Sequence, residues 1–179
     1  MPNARRRMPA LALLIGGGVL LMAVSGRGDT PAPRAAGAQE VTVLGVVVSP
    51  QTGVPTVVLQ GRRDGRTVVM SIGPAEATGI VFPLAKRTPP RPLTHDLFLT
   101  LFGRLDVTVT RVVITDLRDD IYYAVLHLGA RGESLALDAR PSDAIALAIR
   151  AGAPVLVEER VFEKSERVPA PPPPSGPRI

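Results

Sequence analysis

Two stretches of this chain, 67 residues apart, set down the same kinds of residue in the same order, and that self-match limits the folds open to it. Sliding Gly45 to Phe82 forward without a gap places Val58-Leu59 on Val125-Leu126 and Gly65 on Gly132. It also places Pro74 on Pro141, Ala77 on Ala144, and Glu76 on another acid, Asp143. In the first stretch Val41–Val48, Thr56–Leu59 and Thr67–Ile72 are β-branched runs that predict strands, with Arg63-Asp64-Gly65-Arg66 as a hairpin turn. In the second, Asp106–Thr115, Ile121–Leu128 and Ser134–Leu137 predict strands, with Asp119-Asp120 in a turn. Each triplet runs into a helix opened by proline, at Pro74 and Pro141, where a missing N–H costs nothing. The pattern predicts an internal duplication of a β-β-β-α unit. Hairpins inside each unit predict an α+β fold: a mixed, largely antiparallel sheet with packed helices.

Between the units, prolines in Thr88–Pro92 keep the chain extended, and Thr94 reads as the N-cap of a connecting helix with Asp96 in its first turn. Leu97, Phe98, Leu101, Phe102 and Leu105 recur at helical spacing and predict one apolar face, ending near Gly103. After the second unit, Gly152 and Pro154 stop the helix, Pro154–Val157 reads as a last buried strand, and Glu158–Arg167 as a charged segment.

The ends differ in composition from the domain, which is placed at 41–168. Arg5-Arg6-Arg7 precedes an uncharged run from Met8 to Ser25, so 1–25 reads as a signal peptide or N-terminal anchor. The apolar part, Ala10 to Val24, would span roughly 22 Å as a helix, short of a bilayer's roughly 30 Å core. Export to the periplasm or outside the cell, or anchoring by this segment, is therefore the expected localisation. Residues 26–40 have linker composition, and 169–179 form a proline-rich tail, a polyproline II spacer or a docking site for a protein partner.

Composition excludes several chemistries. With no cysteine there is no disulfide, thiolate zinc site or cysteine nucleophile, and two histidines are too few for an imidazole zinc site. No haem, nucleotide or flavin signature is present. The net charge of +5 resides mostly in the ends: between Val41 and Val168 there are 15 Lys and Arg against 14 Asp and Glu. Long-range attraction to phosphates is thus not predicted, although the domain's cations are nearly all Arg, suited to bidentate pairing.

Two stretches together carry a family resemblance: Arg91-Pro92-Leu93-Thr94-His95-Asp96-Leu97 and Leu137-Asp138-Ala139-Arg140-Pro141-Ser142-Asp143-Ala144-Ile145-Ala146-Leu147-Ala148. Ile72–Ala77, Arg111–Leu117 and Ala153–Glu159 support them. In this order they resemble the bifunctional nuclease (BFN) domain family, over Val41 to about Phe162. The resemblance implies an α+β fold, a homodimer, and cleavage of phosphodiester bonds in DNA and RNA. It transfers no catalytic residues.

Phosphodiester hydrolysis needs an activated nucleophile, charge stabilisation at the phosphoryl oxygens and a proton for the leaving oxygen. The candidates for acid–base work are His95, Asp96, Asp138 and Asp143. Arg91 and Arg140 are candidates to bind the substrate phosphate. Glu76 and Asp138 are candidates to hold Mg²⁺ or Mn²⁺. Each has a structural alternative. Glu76, Asp96 and Asp143 suit first helical turns, Arg140 and Asp143 suit an i,i+3 ion pair, and His95 suits a cap donor. Asp138 ends what reads as a buried strand, His127 reads as solvent-facing, and Asp119 and Asp120 as turn residues. The alternative to a nuclease is a non-catalytic, dimeric ligand- or protein-binding module of the cell envelope.

Overall fold

A computed structural model describes residues 37–165. The expected signal or anchor, the linker through residue 36 and the proline-rich tail lie outside the described residues. β1 (Ala38–Val48), β2 (Pro55–Gly61) and β3 (Thr67–Ser71) form an antiparallel meander that leads into α1 (Pro74–Leu84). After α2 (Thr94–Arg104), β4 (Val107–Arg118), β5 (Ile121–Ala130) and β6 (Glu133–Ala139) repeat the arrangement and lead into α3 (Pro141–Ala151). The 67-residue offset carries α1 onto α3 end to end. β7 (Val155–Glu158) and α4 (Glu159–Ser165) follow.

All seven strands form one sheet in the order β3-β2-β1-β7-β4-β5-β6. β7 joins the two meanders, antiparallel to β1 and parallel to β4. The α+β class and the mixed, largely antiparallel sheet are as the sequence predicts. The β4–β5 turn works because Asp119 and Asp120 both take positive φ, the geometry of a two-residue hairpin loop whose twist matches its strands.

One face of the sheet carries the core. Val112 and Ile114 from β4 and Leu126 from β5 lie under α3, Val57 and Leu59 from β2 join the same cluster, and every residue of α3 from Ala144 to Ala148 is buried. Burial on nearly every side is why Ala144–Ala148 is apolar throughout, and Gly152 ends α3 at φ 68° in the left-handed region that favours glycine. The sheet curls enough for the Tyr122 hydroxyl, on β5, to donate to the Val69 carbonyl of edge strand β3 at 3.0 Å. Burial and the charge of Asp120 push the Tyr122 phenol up to about 12.

Five local expectations are corrected. β1 begins at Ala38, inside the stretch read as linker, because Ala38–Val41 pair with β7. The N-cap of α2 is Leu93 rather than Thr94: the Leu93 N–H donates to Asp96 Oδ2 at 2.8 Å, and Asp96 supplies the capping acceptor from the third helical position. The apolar face of α2 is not a core face. Leu99 and Phe102 pack on the core, while Leu97, Phe98, Leu101 and Leu105 stay exposed, and the helix runs through Gly103 to Arg104. The charged segment after β7 is a helix, α4, whose Val161 and Phe162 are fully buried. Finally, β6 is an exposed edge strand, not a buried one.

Candidate functional site

Side chains from the starts of three helices meet on the helix-bearing side of the sheet. Arg140, the residue preceding α3, donates from Nε to Asp143 Oδ2 at 2.7 Å and from a terminal nitrogen to Asp143 Oδ1 at 3.2 Å. Its other terminal nitrogen donates to Glu76 Oε1, in the first turn of α1, at 3.0 Å. Asp143 Oδ1 also lies 3.3 Å from His95 Nε2, in the first turn of α2. Glu76, Arg140, Asp143 and His95 thus form one continuous network. Prolines at the first helical positions of α1 and α3 place the acids two residues later, where the dipole favours them.

Exposure grades along the network. The Arg140 side chain is 66% exposed, Asp143 33%, Glu76 21% and His95 12%. The guanidinium is therefore at the mouth and the imidazole at the back. Asp143, by hydrogen bond and charge, and then Glu76 hold Arg140 above its ordinary value, so it is a permanent cation. A carboxylate only accepts, so His95 Nε2 is the donor in its contact with Asp143.

The back of the site is fixed by Arg150 and Gly79. Arg150, 8% exposed in its side chain, donates to Asp96 Oδ1 at 2.7 Å and to the carbonyls of Gly79 and Ala146 at 2.5 and 3.0 Å. One guanidinium thereby ties α1, α2 and α3 together. Burial raises the Asp96 pKa, but the bond from Arg150, the Leu93 N–H and nearby positive charge outweigh it and hold the carboxyl below its ordinary value. A methyl at Gly79 would come within 2.7 Å of His95 Cε1 and 2.9 Å of Nδ1, so the ring sits where a side chain is missing from α1. Neither residue is among the candidates the sequence offers. Arg150 was legible in part: it lies seven residues after Asp143, on the same helical face.

The other candidates lie elsewhere. Asp138 pairs with Val125 while its neighbours Leu137 and Ala139 pair with the core residues Leu126 and Ala124, so Asp138 points to the helix-free face. It is exposed and makes no hydrogen bond or ion pair with the network. Arg91 is exposed on the connection before α2, outside the network. His127 is half-buried on the helix-free face, with a nitrogen of Arg111 3.4 Å from its Nδ1. Burial, then the Arg111 cation, push its pKa down.

Glu76 and Asp138, expected to share a cation, are on opposite faces. Among the described residues no group of three or more His, Asp or Glu side chains is placed to hold a metal ion. The carboxylates that do converge, Glu76 and Asp143, both face the Arg140 guanidinium, and a divalent cation between them would meet that fixed positive charge. The donor set does not fit a resident Mg²⁺ or Mn²⁺.

A family model described as the bifunctional nuclease domain matches residues 57–169. Two Mycobacterium tuberculosis sequences, each described as an uncharacterized protein, are 36% identical over 126 residues, 70% of this chain and 75% of theirs. Bifunctional nuclease 1 of Oryza sativa subsp. indica is 33% identical over 103 residues, 55% of this chain and 31% of the rice protein. The chain therefore spans about a third of that plant protein's length.

Proposed function

This chain belongs to the bifunctional nuclease domain family, and from that premise we propose that it hydrolyses phosphodiester bonds in DNA and RNA at the helix-start network. The observation that carries the proposal is the joining of Arg140, Asp143 and His95 in one hydrogen-bonded chain with Arg140 at its open end. In this reading the exposed guanidinium binds a phosphate through donors that Asp143 and Glu76 do not use, the planar geometry for which arginine is suited. Asp143 orients both the guanidinium and the imidazole. His95 exchanges a proton with the attacking water or the leaving oxygen, and Glu76 keeps Arg140 from turning away. A divalent ion taking part would arrive with the substrate's phosphates rather than reside in the protein.

The test is cleavage of single-stranded DNA and RNA by the highly purified chain in Mg²⁺, in Mn²⁺ and in chelator. His95→Ala and Arg140→Ala are each expected to lower the rate by about 100-fold or more. Asp138→Asn, on the opposite face, is expected to retain it; loss there would move the chemistry to the helix-free face. Equal trace cleavage by wild type and every variant would assign it to a contaminant and end the nuclease reading.

A second reading is favoured by a specific observation: every member of the network already has a partner inside the protein. In that case the network is a structural clamp in a non-catalytic, dimeric binding module of the envelope, with the proline tail engaging a protein partner. We further propose that the chain is exported or anchored through 1–25. None of the described helices is long and apolar enough to cross a membrane. Sequencing the N-terminus of the protein from fractionated cells is expected to show loss of the first ~25 residues. Met1 retained in the membrane fraction would establish an anchor, and Met1 retained in the soluble cytoplasmic fraction would refute both.

A further inference from the structure

The two outer strands of the sheet are treated differently. On β3 the side chains facing the core, Val68 and Met70, are 0% and 2% exposed, α4 lies against the strand, and Tyr122 donates to its Val69 carbonyl. At the same positions 67 residues later, β6 carries Leu135 and Leu137. They pair with the core residues Leu128 and Leu126 and so face the helix side, yet they are 43% and 46% exposed. The register of β6 on β5 is unbroken from Glu133 to Ala139, with no bulge, and the strand contains no proline or lysine. Natural edge strands are usually blunted by such features, because an open ladder of N–H and C=O groups is a template for another strand. Among the described residues nothing occupies the outer side of β6.

We propose that β6 pairs antiparallel with β6 of a second copy of this chain, about a twofold axis through Ala136, so that two sheets become one. The sequence of the strand is self-complementary in that register. Leu135 meets the partner's Leu137, and Leu137 meets the partner's Leu135, placing four leucines together on the helix side. Ser134 meets the partner's Asp138, a hydroxyl opposite a carboxylate, and Glu133 meets the partner's Ala139. No carboxylate faces another. On the same side of the sheet α2 adds the exposed Leu97, Phe98 and Leu101, apolar surface of a kind that marks association when it is extensive.

The chain's C-terminal tail makes a poorer occupant: from Ala170 to Pro174 it is nearly all proline and lacks the N–H groups a ladder needs. The pairing gives the homodimer implied by the family resemblance a defined surface, and it does not depend on the nuclease reading.

Light scattering on the size-fractionated full chain tests it. Wild type is expected at twice the chain mass, and Leu135→Lys with Leu137→Lys at the single mass, with an unchanged far-UV spectrum. Leu135→Lys with Leu137→Glu sets opposite charges across the axis and is expected to restore the double mass. A monomeric wild type, a dimeric Lys/Lys variant, or a Lys/Glu variant no more dimeric than Lys/Lys would each overturn the proposal. Hydrogen exchange on wild type is independent of variant folding. Protection of the β6 amides is expected to fall on dilution, and protection unchanged by concentration would overturn the proposal by showing that the chain covers its own edge.

Discussion

Phe162→Ala is expected to lower the unfolding free energy by about 3–5 kcal/mol, read as a drop in the urea midpoint at constant slope. Phe162 is fully buried on a helix of only seven residues, too short to persist without docking. Its ring is covered by the Arg66 guanidinium, 4.6 Å from the centroid. Arg66 is itself held by Asp64 at 2.8 Å and by Glu159, at the start of α4, at 2.6 Å. The bond from Arg66 is the main reason the Asp64 carboxyl is lowered to about 2, against a smaller cost of burial. Removing the ring leaves a cavity where α4 covers β3 and takes away the surface on which Arg66 rests. A loss below about 1 kcal/mol would mean that α4 is not what closes this side of the core.

That α4 matters so much was hidden in the sequence by its charge. Glu158–Arg167 contains alternating acids and bases, and Val161-Phe162 is too short an apolar signal to stand out against them. The meanders and the two proline-opened helices were legible because they rest on local rules: β-branched runs, an Asp-Gly turn, a first-turn proline and an acid two residues on. The site was legible in its parts. Glu76, His95, Arg140 and Asp143 were each candidates, and the i,i+3 pairing of Arg140 with Asp143 followed from spacing. Their junction was not, because Glu76 and Arg140 lie 64 residues apart and meet only after α1 and α3 pack side by side.

The two misreadings of surface have one cause. Leu135-Ala136-Leu137 and the apolar stripe of α2 have the periodicity of buried elements, and periodicity reports an apolar face without reporting what covers it. A strand one place further into the sheet would have buried those leucines. Asp138 reads as part of the site from sequence because it is two residues from Arg140. The pleat reverses that nearness: in a strand the neighbours of a core-facing residue face away, so Asp138 belongs to the other side of the sheet.

Arg150→Ala is expected to cost about 2–4 kcal/mol at neutral pH, and the cost should depend on pH. The substitution strips a carboxylate of its buried partner and takes the side-chain donor from the Gly79 and Ala146 carbonyls, the latter keeping its backbone helix bond. Because the Asp96 pKa is lowered in the folded chain, its contribution is fully present above the unfolded value of about 3.9 and is lost as the pH falls through the folded value. The stability gap between wild type and Arg150→Ala should therefore be widest near pH 7 and narrower near pH 3, as urea titrations at the two pH values would show. An equal gap at both would place the whole effect on the two carbonyls and none on Asp96. Arg150→Lys separates these further, since an ammonium cannot span a carboxylate and two carbonyls with a planar fork. The same substitution links stability to the site: Asp96 and His95 are adjacent in the first turn of α2, so releasing Asp96 loosens the backbone that aims His95 at Asp143. Under the nuclease reading, Arg150→Ala should lower cleavage even at temperatures where the variant remains folded. Full cleavage by a folded variant would show that His95 holds its position without the clamp.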